Sequence, residues 1–514
     1  MNLRNFFEFS VERNPNQIAI VEKNSEITYA ELNKRVNCVA TALQKLGLGK
    51  QDRVMVLLKN RVETVVLYWA VQKLGAIFTP VNFRLSVENI RYCIRDVEPK
   101  IVIFEESSER LITKDTFKER PIFIGLSNSS GLADISYGEL EDYGSASYRA
   151  ENISDHDISI LYYTSGTTGI PKGVPRSHNN EYAATVAHVI QFGTQPFDRT
   201  LGAYPLYHVI GLRSLQAITS MNGAFVPLAD FDSYESLKII DQKRISCLFL
   251  TPTMYHDLVY HPAAKETDFS HLQTLIYSGA SMSKELIRKC HETVGPDLFI
   301  NLYGSTEIYT FAYCRDVRKK PGSAGKPGFH QNLRLIPISS DRKAALEGNV
   351  AIGDVGEIVV NMESPEAFRG YWNRPDLTKE RIYDGWYFTG DLGVIDMDGD
   401  LAIVGRADDM IISGGENIYP ELIEKVLKEH PKVKEAVIIG ELDERMGQIV
   451  VAYIVATDNS LTLHELDRYC KYNHEIPSYK RPRKYEFVES IPRSAGGKIL
   501  RTVLRKGRFN KQGG

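Results

Sequence analysis

Short apolar runs and helix-period segments alternate along most of this chain, and that alternation limits its fold more tightly than any other feature. Residues 27–47 set the pattern. Thr28 and Glu31 have the spacing of a capping box, Leu32, Val36, Val39 and Leu43 recur on one face, and Gly47 can close the helix. An apolar strand at 54–58, an apolar helix at 62–74 and another strand at 76–80 follow with short connections. Further strands are expected at 158–163, 247–250, 274–277 and 298–302. Strands joined through helices pair in parallel, so the expected class is α/β, with mainly parallel sheets covered by helices. Each strand delivers a polar, glycine-containing loop or a helix at its C-terminal end, where ligands of open α/β sheets bind.

The 514 residues exceed the roughly 250 to 300 at which one hydrophobic core stops growing, so more than one domain is expected. The character changes after Arg406. Gly414 and Gly415 form a turn ahead of a helix at 420–428 and strands at 433–440 and 449–455, which read as a small α+β unit. The expected division is a large domain at 1–407 and a small, mobile domain at 408–514. With 43% hydrophobic residues, 25% charged residues and a net charge of −3, the composition is that of an ordinary globular protein. The only dense basic stretch, KRPRK at 480–484, is too short for a nucleic-acid stripe. Six cysteines lie scattered without CxxC or metal spacing, and no window offers a signal peptide or a spanning apolar length. A cytoplasmic protein without a transmembrane segment is expected.

Four segments carry candidate chemistry. YYTSGTTGIPKG at 162–173 joins a strand to a polar stretch and then a helix, and combines glycines, hydroxyls and Lys172. Glycines admit phosphate oxygens close to backbone N–H groups, hydroxyls donate hydrogen bonds and the lysine adds charge. This is a phosphate cradle without the Walker spacing; a flexible linker is the plain alternative. NLYGSTE at 301–307 follows a strand and presents Tyr303, Thr306 and Glu307 on a turn. A carboxylate there suits Mg²⁺, while a capped helix start with a solvated Glu is the alternative. WYFTGDLG at 386–393 places Asp391 after a turn, either as a ribose acceptor or as an ordinary turn residue. IPRSAGGKIL at 491–500 exposes Lys498 on a glycine loop, where most lysines are merely solvated.

In this order, the four segments resemble the ANL superfamily of adenylating enzymes, which includes acyl-CoA and aryl-CoA ligases. YPLYHVIG at 204–211, RGYWNRPDLT at 369–378 and GRADDMIISGGENIYP at 405–420 fit the same resemblance, which covers nearly the whole chain. It implies that Thr164, Ser165, Gly166, Thr167, Thr168, Gly169 and Lys172 form the ATP phosphate loop. Thr306 and Glu307 would serve the α-phosphate and the metal. Gly279, Ala280, Ser281 and Tyr303 would flank adenine, with Gly304 in the same nucleotide site. Asp391 and Arg406 would hold the ribose, and Asn417 would lie near the phosphate. Lys498 would be the lysine needed for adenylation, Asp408 the hinge, and His208 the residue near the acyl carboxylate. Leu422 departs from the family pattern, in a slot often held by Glu.

The chemistry so implied has two steps. A carboxylate attacks the α-phosphate of ATP and pyrophosphate leaves; the acyl group then passes to a thiol, coenzyme A or a carrier protein. Two anions must meet in the first step, so cations and N–H donors aimed at that charge matter most. No carboxylate follows YPLYHVIG to pair with an α-ammonium, which favours a fatty or aryl acid over an amino acid. The chain carries no appended carrier domain, which favours coenzyme A. A non-catalytic scaffold on the same fold is the rival from another class, and Glu307 with Lys498 argues against it.

Overall fold

The computed structural model describes residues 1–22, 25–112, 117–127, 131–145, 148, 151–165, 170–473, 476–493 and 499–505. They form two compact units, one of residues 1–333 with 360–387, the other of 334–359 with 388–514. The first unit holds two large sheets. In one, strands run in the order Ile135–Ser136, Ile122–Gly125, Ile101–Phe104, Arg53–Leu57, Ile77–Pro80, Ile158–Ser165 and Pro171–Ser177. All neighbours are parallel except the last pair. In the other, Leu298–Tyr303, Thr274–Ser278, Cys247–Leu250, Arg199–Gly202, Ala224–Pro227 and Ile18–Glu22 form a parallel centre, and antiparallel strands close both edges.

The α/β expectation holds in detail. The helix Tyr29–Lys45 is capped by Thr28, and Glu31 Oε2 accepts from the Thr28 backbone N–H at 2.8 Å, which completes the capping box. Gly47 lies beyond the helix end at φ +86°, the left-handed region that glycine enters without steric cost. The helix Val62–Lys73 is buried on every side, as a helix apolar all round must be. At its C-terminal end Lys73 sits inside the fold, with Nζ 2.7 Å from each of the Asn33 and Asn37 side-chain oxygens.

The second unit contains most of the strands Val355–Asn361 and Trp386–Ile395, which are sheet neighbours, with Leu401–Arg406 antiparallel to the latter. From Ile411 on, a two-stranded ribbon leads into the helix Pro420–Lys428. An antiparallel pair, Val433–Asp443 and Gly447–Ala456, follows, with Lys484–Phe487 alongside. Its two apolar clusters draw only on residues from Ile411 onward. The smaller part is α+β, as its sequence pattern implied.

Candidate active site

Parallel pairing places the candidate loops of the first unit along one sheet edge. Arg199–Gly202, Cys247–Leu250, Thr274–Ser278 and Leu298–Tyr303 are neighbours in register, so all four chains leave at the same end. The segment ending in His208 follows the first. Gly279, Ala280 and Ser281 follow the third and are exposed there, and Gly304, Thr306 and Glu307 follow the fourth. This is the position at which open α/β sheets bind ligands. His208 caps the helix Val209–Ser220, and its Nδ1 accepts from the Ile210 N–H at 3.3 Å. Gly304 is fixed by space: a Cβ would stand 1.8 Å from the carbonyl oxygen of Tyr309, because the chain doubles back on itself between them.

The segment 162–173 does not run from strand to helix as expected. Ile158–Ser165 pairs antiparallel with Pro171–Ser177 from Ile158 opposite Ser177 to Ser165 opposite Pro171, and the helix begins only at His178. The polar stretch is therefore followed by a second strand, not by a helix. Gly173 lets this second strand lie against Trp372, whose Cβ would be 2.9 Å from a Cβ at that glycine. Thr164 belongs to the first strand and Lys172 to the second, opposite each other. Gly166, Thr167, Thr168 and Gly169, with the Ser165 side chain, lie outside the described residues, as does Lys498.

Lys172 reaches across to Glu307. Its Nζ lies 2.7 Å from Glu307 Oε1 and 3.0 Å from the Tyr371 hydroxyl, and that hydroxyl donates to the same Oε1 at 2.6 Å. The ammonium also sits 4.6 Å from the Tyr371 ring centroid, a favourable face for a cation. Glu307 is 4% exposed, so the solvated helix start considered above does not occur. Burial pushes its carboxyl up, but the Lys172 charge and the hydrogen bonds from Lys172 and Tyr371 outweigh it and hold the group at about 2. Tyr371 shifts the other way: burial, then the neighbouring carboxylate, raise its phenol well above the usual range. An ionised carboxylate, a lysine and a hydroxyl donor thus meet at the strand Pro171–Ser177.

Beneath them lies a charged layer that the sequence reading missed. Arg176 is fully buried, and its Nη1 donates to the carbonyls of Thr306, Glu307 and Glu366 at 3.3, 2.9 and 2.6 Å. Its Nε meets Glu181 Oε1 at 3.0 Å, and Arg213 Nη2 meets the same oxygen at 2.9 Å. The triad tethers the Thr306–Glu307 backbone to the hairpin strand. No local signal was available, since PKGVPRS does not read as a strand whose inward face could be assigned. Tyr371 lay inside a segment already singled out, but nothing local gave it a role.

The other expected nucleotide residues lie in the second unit. Asp391 does not follow a turn but sits within the strand Trp386–Ile395, directly opposite Arg406 in the antiparallel register. Arg406 Nη1 is 2.5 Å from Asp391 Oδ1 and 3.3 Å from the Thr389 carbonyl, and its Nη2 is 3.8 Å from Asp408. Asn417 is exposed on the short strand Glu416–Ile418, and Asp408 is exposed in the turn after Arg406.

The sequence matches the family model for AMP-binding enzymes over residues 7–372 and that for the AMP-binding enzyme C-terminal domain over 422–498. The chain belongs to the AMP-binding enzymes. It is a member of the ANL superfamily, as the motifs implied, and an adenylate-forming enzyme that binds ATP. This AMP-binding enzyme is 30% identical to 4-chlorobenzoate–CoA ligase of Arthrobacter sp over 98% of its own chain and 95% of the relative. It is 32% identical to a long-chain-fatty-acid–CoA ligase of Mycobacterium tuberculosis over 96% and 95%. The fold matches ATP-bound MatB from Rhodopseudomonas palustris with a TM-score of 0.87 at 29% identity, covering 99% of both chains. No helix among the described residues is long and apolar enough to cross a membrane.

Proposed function

We propose that this AMP-binding enzyme is an acid–thiol ligase that forms the acyl-adenylate of a fatty or aryl acid from ATP, releases pyrophosphate, and transfers the acyl group to coenzyme A. The observation that carries the proposal is the buried Glu307 carboxylate, held ionised by Lys172 and Tyr371. A buried charge kept at this cost suits a site where charge must be moved.

The residues fit Mg²⁺: Glu307 is a hard, acceptor-only oxygen donor that stays deprotonated across the physiological range. Bound there, the ion would neutralise charge on the triphosphate. Lys172, released from Glu307, turns its ammonium to the phosphates, and Thr164, Ser165, Gly166, Thr167, Thr168 and Gly169 complete the phosphate loop. Thr306 faces the α-phosphate. Gly279, Ala280, Ser281, Tyr303 and Gly304 take the adenine side, Asp391 and Arg406 the ribose, and Asn417 the phosphate. Lys498 stabilises charge in adenylation, and His208 stands at the acyl carboxylate. Division at Asp408 into residues 1–407 and 408–514 belongs to the same proposal: thiol transfer needs the space Lys498 holds in the first step, and a hinge supplies it. The separate apolar clusters beyond Ile411 support this division.

Coenzyme A is preferred as acceptor because relatives of both aryl and long-chain acids are CoA ligases by name. Six cysteines, none of them in a disulfide among the described residues, support a cytoplasmic setting, where thiols stay reduced. The test is a panel of fatty, aryl and amino acids assayed for pyrophosphate with and without coenzyme A. Acid-dependent pyrophosphate release, thioester formed only with coenzyme A, and loss of both in Lys498→Ala are expected. Pyrophosphate without thioester would transfer the acceptor role to a carrier protein, and silence across the panel would end the ligase reading.

A further inference from the structure

An acidic side chain spans the hinge expected at Asp408. Gly405, in the strand Leu401–Arg406, lies on the large-domain side of that hinge, and Glu421, in the helix Pro420–Lys428, lies on the small-domain side. Both belong to the second unit, and helix and strand pack closely there: a Cβ at Gly405 would stand 2.3 Å from Glu421 Oε2. The Glu421 side chain keeps 30% of its surface, yet Oε2 itself is buried and receives no hydrogen bond. Leu422, in the slot where the sequence resemblance leads to Glu, is exposed instead. Moving the acid back one position turns it by about 100° round the helix, onto the face packed against the strand.

The charges around it do not balance while it is ionised. Glu424 faces it from the same helix, Asp409 from the turn after Arg406, and Arg501 from the C-terminal helix Arg501–Arg505. Arg501 Nη2 lies 3.3 Å from Glu421 Oε1 and 2.6 Å from Glu424 Oε1, and its Nη1 lies 3.4 Å from Asp409 Oδ2. Arg505 meets the other Asp409 oxygen at 3.0 Å. The strand side adds no cation, since Arg406 is committed to Asp391 at 2.5 Å. The strand Val433–Asp443, on another face of the helix, brings the Ile438 N–H to Glu424 at 2.9 Å, not to Glu421. Among these groups three carboxylates share two guanidiniums, and a proton on Glu421 makes the numbers equal. Burial is the main cause that raises this carboxyl to about 7, with Glu424 and Asp409 adding to it and Arg501 opposing.

We infer that Glu421 is a proton-operated latch on the hinge: protonated, it holds the small domain against the strand Leu401–Arg406, and ionised, it lets go, so that pH sets the balance between the two half-reactions. This rests on the hinge of the ligase reading and adds its control. An ionised carboxylate pressed on a glycine backbone has neither donor nor water at Oε2, and separating helix from strand is the direct way to hydrate it. The contact joins residues on opposite sides of Asp408, so hydration of Oε2 and rotation at the hinge are the same movement. The folded value lies above the unfolded one, so the latch is closed below it and opens as pH rises through about 7.

The experiment follows tryptic cleavage after Arg406 in the full-length protein between pH 6 and 8.5, normalised at each pH to trypsin acting on a small peptide. The rate should rise at least about fivefold in the wild type, with a midpoint about pH 7. Glu421→Gln, nearly isosteric and neutral throughout, should stay at the low rate at every pH. A wild-type rate that does not rise, or a variant that follows the wild type, would overturn the latch. The second readout is the ratio of thioester formation to single-turnover pyrophosphate release over the same interval. Ionisation of the coenzyme A thiol acts on both proteins alike, so the ratio should diverge between them by at least about threefold above pH 7 and converge below it. Equal ratios at every pH would overturn control of the half-reactions. Should no acid be turned over, the ligase reading fails on its own, and the cleavage profile still decides the latch.

Discussion

Glu181 and Glu421 sit in the first turns of helices, and both face arginines, yet their charges behave in opposite ways. Glu181, fully buried, is pushed up by burial but is held below the ordinary carboxylate range by Arg213 and Arg176, helped by the Gln216 amide. Glu421 of the second unit is raised to about 7: burial is the main cause, Glu424 and Asp409 add to it, and Arg501 opposes it. The helix N-terminus favours an anion in both, so it does not separate them. Donors per carboxylate do. Glu181 receives Nε of Arg176 at 3.0 Å, Nη2 of Arg213 at 2.9 Å and Nε2 of Gln216 at 3.0 Å. Glu421 has Arg501 at 3.3 Å, and that guanidinium also serves Glu424 at 2.6 Å and Asp409 at 3.4 Å. Its Oε2 is buried without a donor, 2.3 Å from where a Cβ at Gly405 would stand. Between these two carboxylates, the number of unshared cations and not depth alone separates the fixed one from the titratable one.

The comparison breaks most severely at Glu181. Glu181→Ala leaves two guanidiniums buried without a counter-charge and loosens the arginine that anchors the Thr306 and Glu307 carbonyls. A loss of about 3–5 kcal/mol in urea unfolding is expected. A loss below about 1 kcal/mol would show that the triad does not carry the site. Lys172→Ala removes the cation of the other fixed carboxylate. Adenylation should fall about 10²–10³-fold, measured as acid-dependent pyrophosphate release. The acid limb of stability should shift as well. Glu307 lies below its unfolded value, so its contribution is complete above about pH 4.5 and is lost as pH falls towards about 2. Without Lys172 that loss should begin at higher pH, which unfolding curves between pH 2 and 6 would detect.

These pairings also mark where sequence reading stops. The parallel sheets and their helices were legible because apolar period and capping are local: Thr28 with Glu31, and the largely apolar helix Val62–Lys73, need no partner to be recognised. The loop after Leu298–Tyr303 was legible as a site because the strand announces its own end. The strand Pro171–Ser177 was not, since two prolines, a lysine and a glycine argue against strand in isolation, and pairing with Ile158–Ser165 decides it. Asp391 read as a turn residue because Gly390 precedes it; the glycine, at φ +73°, instead precedes a register shift inside a strand. Arg176 with Thr306 and Tyr371 with Lys172 are partners across more than a hundred residues, and no spacing rule connects them.

The titratable side of the comparison is tested at Glu421. Its folded value lies above its unfolded one, so the contribution of its protonated form is complete below about pH 4.5 and is lost as pH rises through about 7. Glu421→Gln keeps the neutral form at every pH. It should stabilise the protein above pH 7 by about 1–3 kcal/mol, less where solvent screens the carboxylate's open edge. It should also flatten the slope between pH 4.5 and 7, as followed by urea titrations at pH 5 to 8.

A smaller effect isolates the cause. Asp409 raises Glu421 by its own charge and also takes a share of Arg501, with Arg505 at 3.0 Å on its other oxygen. Asp409→Asn removes both influences while leaving the burial of Glu421 intact. The Glu421 midpoint, read from its side-chain carboxyl carbon by NMR, should fall by about half a pH unit. If it stays near 7, burial alone sets it, and the contrast with Glu181 rests on the missing second cation, not on competition for the first.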